Sequence, residues 1–318
     1  MKVTTLSDVE PGSGPRDVAI GTFDGVHLGH REVIRGADTV LTFDPHPLAV
    51  IHPEAPPKLI ASAAVKRDLI AGLGVEELVV IPFDRGFSEQ SPESFVHDVL
   101  IDRLGATRVS VGENFRFGQG ARGTADFLRS HDQFETRVVP LVEVAGETVS
   151  SSHIRGLVAA GDVQQAAEFL GGPFLFEGEV VPGDKRGQEL GMPTANLVPD
   201  DVHLAPGHGV YAAWANVNPS PAHAAEPRAS GYPTAVNVGV RPTFETGRGL
   251  LVEAHLIGFA GDLYGQQLRI AFLERMRGET RFDSVEALVE QMNRDLLQAG
   301  DIAGASPWSE LLLRFPAR

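Results

Sequence analysis

The sequence predicts two domains of different class: an α/β domain built on a doubly wound parallel sheet, then an antiparallel β-barrel that ends in a long helix. Three observations carry this. The chain has 318 residues, more than one compact core usually serves. Its first half alternates short apolar runs with helical periodicity, the pattern of parallel strands joined by crossover helices. After a Gly171-Gly172-Pro173 break, the second half changes to short runs divided by Gly and Pro clusters, and only near its end does a long helical period return.

In order, strands are expected at 17–21, 40–43, 78–83, 108–112 and 136–142. Between them, 64–73 places Val65, Leu69 and Leu73 on one helical face, and 93–104 does the same with Phe95, Val96, Val99, Leu100 and Leu104. Two short helices follow at 154–160 and 163–170, each closed by a glycine. The domains divide there, as 1–171 and 172–318. Barrel strands are expected at 176–181, 210–217, 234–238, 250–257 and 267–273, while 218–233, with four prolines, reads as an exposed loop. The long helix spans 283–300 through Val285, Leu288, Val289, Met292, Leu296 and Leu297, and a last short helix is expected near 308–315.

Composition is that of an ordinary globular chain, 42% apolar and 22% charged. A formal charge of −15 opposes binding to nucleic acid or to an anionic membrane surface, and no basic run offsets it. A small anionic ligand stays compatible, because backbone N–H groups, a few side chains and a divalent cation outweigh the global field locally. The lack of cysteine excludes disulfides, thiolate catalysis and Cys-ligated zinc, and fits a reducing compartment. Residues 1–20 hold no signal-peptide core, and nowhere do about 18 apolar residues run together. The expectation is a cytoplasmic protein without nucleic-acid or membrane partners, and no pattern in the sequence sets an oligomeric state.

The strongest local signal follows the first strand: Gly21-Thr22-Phe23-Asp24-Gly25-Val26-His27-Leu28-Gly29-His30. A turn lined by Gly21, Phe23 and Gly25 delivers His27 and His30 to the first turn of a helix, where free N–H groups and the dipole favour phosphate. Two imidazoles there would bind a triphosphate and steady the charge that moves to leaving pyrophosphate. Asp44-Pro45-His46-Pro47 follows the second strand, and Gly112-Glu113-Asn114-Phe115-Arg116-Phe117-Gly118 the fourth. Carboxyl ends of strands line the ligand crevice of such sheets, so Asp44 and His46, with Asn114 and Phe115, are candidates for reading a planar ring. A plain proline-rich loop and aromatics buried under a loop account equally for these two stretches. Ser150-Ser151-Ser152-His153-Ile154-Arg155 puts hydroxyls before a short helix and an arginine on its first turn. That is either an N-cap or an oxyanion site through Ser151, Ser152 and Arg155.

In the second half, 183–196 reads Gly-Asp-Lys-Arg-Gly-Gln-Glu-Leu-Gly-Met-Pro-Thr-Ala-Asn. It lacks the Gly-Lys-Ser/Thr ending of a Walker loop. Gly183 and Gly187 still permit close backbone approach to phosphates and Lys185 supplies charge, with a generic glycine-rich hairpin as the alternative. In 250–257, strand alternation puts Val252, Ala254 and Leu256 on one face and Glu253 with His255 on the other. A carboxylate in so apolar a strand is costly unless solvated, paired or used.

On these motifs the chain resembles the bacterial bifunctional riboflavin kinase and FAD synthetase family, whose first module is a Rossmann-like nucleotidylyltransferase of the HxGH type, and the likeness runs over nearly the whole chain. The resemblance implies FMN adenylyltransferase activity in the first domain, with ATP at His27, His30, Ser151, Ser152 and Arg155, and FMN near Asn114, Phe115 and the 44–47 loop. It implies riboflavin kinase activity in the second. There Gly-Met-Pro-Thr-Ala-Asn looks like the motif in which Thr194 and Asn196 hold Mg2+ and nucleotide phosphates, and Glu253 is the expected base for the riboflavin 5′-hydroxyl. Magnesium takes about six oxygens and keeps waters, so neutral Thr and Asn suffice when ATP brings the charge. Arg277 is expected in a flap over the flavin, which is substrate and product, with ATP as co-substrate of both steps.

Two departures from the family stand out. Ser152 replaces a Thr, keeping the hydroxyl. Only residues 31–43 separate His30 from Asp44, fewer than in the family and close to the roughly dozen that a right-handed parallel crossover needs, so either the helix is shortened or residues are missing from that segment. The competing readings are a riboflavin kinase whose first module is impaired by that segment, a flavin-binding protein without turnover, and a different HxGH transferase. Retention of His27, His30, Thr194, Asn196 and Glu253 argues against the second, and the C-terminal half against the third.

Overall fold

The structure, a computed structural model, describes residues 1–183, 192–217, 231–241 and 249–307. Most of the expected 218–233 loop and all of the expected 308–315 helix lie outside the described residues. The chain divides into two compact units: Met1–Pro57 with Lys66–Ser150, and Lys58–Val65 with Ser151–Arg318.

In the first unit, β1 (Lys2–Thr5), β2 (Arg16–Ile20), β3 (Thr39–Asp44), β4 (Glu77–Pro82), β5 (Ala106–Gly112) and β6 (Glu135–Val139) form one sheet in the order β1-β4-β3-β2-β5-β6. Every neighbouring pair is parallel. The edge strand β1 is the addition to the five expected; it buries only Thr4, so it shows no apolar alternation to read. Along the others, Val18, Ile20, Leu41, Phe43, Val79, Ile81, Val109 and Val111 enter one core layer, and Ala19, Val40 and Leu78 the other. A strand buried on both faces reads as a continuous apolar run for this reason.

The first layer is covered by Phe95–Arg103, a π-helical stretch in which Leu104 N donates to Val99 O at 3.0 Å. The second is covered by Val33 and Ile34 of the helix Leu28–Ile34 and by Ile70 of the helix Ala63–Ala71. Leu28–Ile34 has seven residues, and β3 joins β2 from the pair Val18↔Thr39 onward. The crossover therefore closes within the few residues available. A two-stranded hairpin, β7 (Glu143–Val144) and β8 (Glu147–Thr148), follows the sheet.

In the second unit, β9 (Phe174–Val181), β10 (Ala195–Leu197), β11 (Gly209–Val217), β12 (Tyr232–Arg241), β13 (Gly249–Leu256) and β14 (Gln267–Arg277) close an antiparallel barrel in the order β10-β13-β12-β11-β14-β9. Val180, Leu197, Val236, Val238, Val252, Ala254, Ile270 and Phe272 are among its buried side chains. The helix Val285–Ala305 starts at Ser284, whose side chain accepts from Ala287 N, and lies against β11, β12 and β14. Ala212, Ala235 and Ala299 meet at that contact, flanked by Leu296 and Ile302. Periodicity counted Val285 and Leu297 into the apolar stripe, yet both are exposed, Leu297 at 73%. The buried stripe runs instead through Asp295, Ala299 and Ala303, where small side chains let the helix approach.

Helices Ser151–Ala160 and Val163–Leu170 belong to this second unit, and the latter contacts β9 and β14. So does the strap Lys58–Val65: Leu59 N donates to Val202 O and Leu204 N to Leu59 O, both at 2.8 Å. Ser62 Oγ donates to Glu177 Oε2 at 2.6 Å.

Candidate active sites

In the first unit, strand order reverses between β2 and β5: the chain leaves β2 toward β3 and β4, then returns to β5 and β6 on the other side. Loops at the carboxyl ends of two such strands flank a crevice that suits a ligand. They are the turn after Ile20 and the turn after Gly112, the two stretches in which the sequence placed its strongest signal and its aromatic candidates.

The first turn is held in a strained path. Phe23 (φ 49°) and Val26 (φ 44°) adopt positive φ without being glycine, at a cost of about 1–3 kcal/mol each. Both are fully buried among Ala19, Val33 and Ile34, which fixes them. Gly25 takes φ 84°, and a Cβ at Gly21 would lie 2.9 Å from the Phe23 ring. The strained turn ends in His27, the N-cap of Leu28–Ile34, whose Nδ1 accepts from His30 N at 3.2 Å. That bond makes Nδ1 an acceptor, which puts the proton of the neutral His27 ring on Nε2. The two imidazoles stack with centroids 3.5 Å apart and planes at 14°, and Gly29 leaves room, since a Cβ there would stand 3.3 Å from the His27 ring.

Asp44 closes β3, and His46 caps the helix Pro47–Ile51 through Nδ1, which accepts from Leu48 N at 3.2 Å. Asn114 is exposed. Phe115, half-buried, stacks on Phe117 with centroids 5.6 Å apart and belongs to the rim of the core. Sequence reasoning missed Lys66. Its Nζ reaches Thr22 O at 3.4 Å, inside the histidine turn. Burial pulls its pKa below the ordinary lysine value, against the opposing pull of the Asp24 and Asp44 carboxylates. A lone lysine on a helix gives no local sign of this, because its partners lie far away in sequence.

Ser151 and Ser152 open the helix Ser151–Ala160 in the second unit. Arg155 follows on that turn, with Nε donating to Lys58 O at 2.7 Å.

In the barrel, register builds a polar row across three neighbouring strands. Glu253 of β13 lies directly opposite Asn196 of β10 and directly opposite Asn237 of β12, and directly paired residues share a face of the sheet. Asn237 Nδ2 donates to Glu253 Oε2 at 3.2 Å. Val252 and Ala254 are fully buried while Glu253 is half-buried, as alternation predicts. Asn196 is 8% exposed, and its Nδ2 donates to Thr194 O at 3.3 Å. Gly183 lies against it: a Cβ at 183 would overlap the amide nitrogen and come 2.6 Å from Cγ. His255 fixes the neighbouring backbone through Nδ1, which donates to Pro193 O at 2.8 Å. Burial lowers the His255 pKa, partly countered by that carbonyl, so the ring serves as a neutral donor.

The fit to a hard cation follows from this donor set. Asn196 Nδ2 donates to Thr194 O, so its Oδ1 remains the acceptor of the amide, and Thr194, two residues before it, carries a hydroxyl. Neutral oxygens of this kind suit Mg2+ when phosphates add the charge. Among the described residues no group of three or more His, Asp and Glu could hold a metal by itself. Lys185 and Gly187 lie outside the described residues. Arg277 is bound by Asp295, with Nε–Oδ1 at 3.0 Å and Nη2–Oδ2 at 2.7 Å, and Gln291 donates to the same carboxylate at 2.8 Å. Asn237 and Asp295, like Lys66, were not read as site or partner residues from the sequence.

Comparison with known proteins adds the following. A family model described as FAD synthetase matches residues 12–153, and one described as riboflavin kinase matches residues 170–303. The bifunctional riboflavin kinase/FMN adenylyltransferase of Listeria monocytogenes is 33% identical over 87% of this chain and 89% of its own. That of Pseudomonas fluorescens is 34% identical over 96% and 98%, and that of Escherichia coli K12 is 32% identical over 90% and 92%. A solved structure described as a macrolide-efflux protein from Streptococcus pneumoniae superposes with a TM-score of 0.82 at 29% identity, covering 95% of this chain and 99% of that one. No helix among the described residues is long and apolar enough to cross a membrane.

Proposed function

The chain belongs to the bifunctional riboflavin kinase/FMN adenylyltransferase family, and from that premise we propose which of its residues carry each step. It phosphorylates riboflavin to FMN with ATP, then transfers the adenylyl group of a second ATP to FMN, giving FAD and pyrophosphate. A kinase with an impaired first module is not favoured, since both family models match and the shortened crossover still delivers His27 and His30 to the helix start.

In the kinase step, Glu253 accepts the proton of the riboflavin 5′-hydroxyl as that oxygen attacks the γ-phosphorus, and ADP leaves. Thr194 and Asn196 hold Mg2+, which would neutralise phosphate charge when bound; Gly183, Lys185 and Gly187 are assigned to the phosphates. Arg277 borders the flavin from β14 while bound to Asp295. The observation that carries this step is the cross-strand pairing that sets Asn196 and Glu253 side by side.

In the adenylyl step, a phosphate oxygen of FMN attacks the α-phosphorus of ATP and the bond to pyrophosphate breaks. His27 and His30 stabilise the charge passing to pyrophosphate, and Gly21, Phe23 and Gly25 shape their turn. Arg155, Ser151 and Ser152 are assigned to the nucleotide by the family's motif, and Asp44, His46, Asn114 and Phe115 border the flavin. The functional division proposed is 1–171 for adenylyl transfer and 172–318 for the kinase. Its support is that the family models end at 153 and begin at 170; the compact units part earlier, with 151–171 and Lys58–Val65 in the second. With a net charge of −15, the proposed setting is the cytoplasm, without nucleic-acid or membrane partners.

Riboflavin, ATP and magnesium supplied together, with FMN and FAD resolved by chromatography, test the assignment. His30→Ala is expected to accumulate FMN without FAD. Glu253→Gln is expected to leave riboflavin unreacted yet adenylate added FMN. FAD formation by His30→Ala at the wild-type rate removes the histidine assignment, and wild-type phosphorylation by Glu253→Gln removes the base.

A further inference from the structure

We propose that Asn237 is a positioning residue for phosphoryl transfer: its amide clamps one oxygen of Glu253 and so presents the other to the hydroxyl being phosphorylated. This rests on the reading of Glu253 as the base. Strand register places Asn237 directly opposite Glu253, on the face where Asn196 flanks the same carboxylate from the other side. Nδ2 donates to Oε2 at 3.2 Å. Only the NH2 side of an amide can meet a carboxylate, so chemistry dictates the orientation of Asn237.

Among the described residues, Asn237 is the hydrogen-bond partner of Glu253, and Oε1 is the oxygen left to receive a proton. A glutamate has three side-chain torsions, and a base must meet its proton within hydrogen-bond reach. One fixed contact from a rigid strand removes much of that freedom before substrate arrives. Gly239, two residues on along β12, makes room for the Glu279 carboxylate, since a Cβ there would overlap Glu279 Oε1, while it would stand at ordinary contact distance, 3.6 Å, from Asn237 Nδ2. Among the described residues, the titratable groups around Glu253 are few. His255 on the same strand is tied to Pro193 O. Glu279 lies against Gly239 and 3.8 Å from His208 Nδ1. From β10 only the neutral Asn196 faces the carboxylate.

The test is the split between kcat and KM in riboflavin phosphorylation by the full chain, wild type against Asn237→Ser, which removes the amide donor, with FMN adenylation of the same preparations as the sign of an intact protein. Its kcat is expected to fall about tenfold while KM for riboflavin and ATP stays within about twofold, and a wild-type kcat overturns the proposal. Should that variant not fold, Asn237→Ala is expected to show the same split, and a wild-type kcat there overturns the proposal as well. Glu253→Gln separates the levels: if it phosphorylates riboflavin normally, the base assignment and this inference fall together. If it is inactive while both Asn237 variants match wild type, the inference alone falls.

Discussion

Gly183 is a glycine because the Asn196 amide occupies the place of its side chain. An alanine there forces the amide aside, and Asn196, buried and already bonded to Thr194 O, has little room to yield. Gly183→Ala is therefore expected to lower riboflavin phosphorylation about tenfold or more while changing FMN adenylation less than about twofold; steady-state rates of the two half-reactions decide it. The reason was not legible in advance, because sequence suggests a glycine for phosphate approach and does not show which side chain it makes room for. His27 and His30 were legible because their contact is local, a cap spanning three residues. The alternation around Glu253 was legible, with a half-buried carboxylate between buried Val252 and Ala254, while its reading as a base came from the family resemblance. Lys66 and Asn237 were not, since their partners lie 44 and 16 positions away and only the register of strands and turns brings them together.

At the scale of elements, what escaped sequence reasoning shares one cause: the element was specified by its neighbours rather than by its own period. Strand β10 has three residues and exists because β9 and β13 hydrogen-bond to it on both sides. Phe95–Arg103 shows the apolar spacing of any amphipathic helix, and its π-helical widening leaves no trace in that spacing. The helix Val285–Ala305 was located well, but its buried stripe turns on Asp295, a residue that hydropathy places on the outside. Asp295 is 5% exposed, and its bidentate bond to Arg277 ties the helix to β14. Removing one partner of such a pair strands the other charge, which typically costs about 3 kcal/mol or more. Asp295→Ala is thus expected to lower the thermal midpoint of the barrel unit by several degrees. Calorimetry with FMN adenylation followed in parallel distinguishes this from general unfolding, because the first unit carries its own core. A midpoint unchanged within error would mean that the helix is held by its contacts to β11 and β12, the alanine contact and the bond from Trp214 Nε1 to Ala303 O.

At the scale of the whole molecule, the fold classes were legible because parallel and antiparallel sheets bury their strands differently. Strands covered on both faces read as runs, and strands with one face outward read as alternation. Each unit also contains its own buried core, and the two proposed chemistries share no residue. FMN, the product of one and substrate of the other, is a small molecule that water can carry. Mixing His30→Ala, which should release FMN, with Glu253→Gln, which should adenylate it, is therefore expected to restore FAD formation from riboflavin that neither variant achieves alone. Restoration should show a lag while free FMN accumulates toward the KM of the second site, and the lag should shorten as the His30→Ala concentration rises. If the mixture yields FMN but no FAD, while Glu253→Gln still adenylates added FMN, then FMN made by one chain does not reach another at useful concentration, and the two steps are joined within a single molecule.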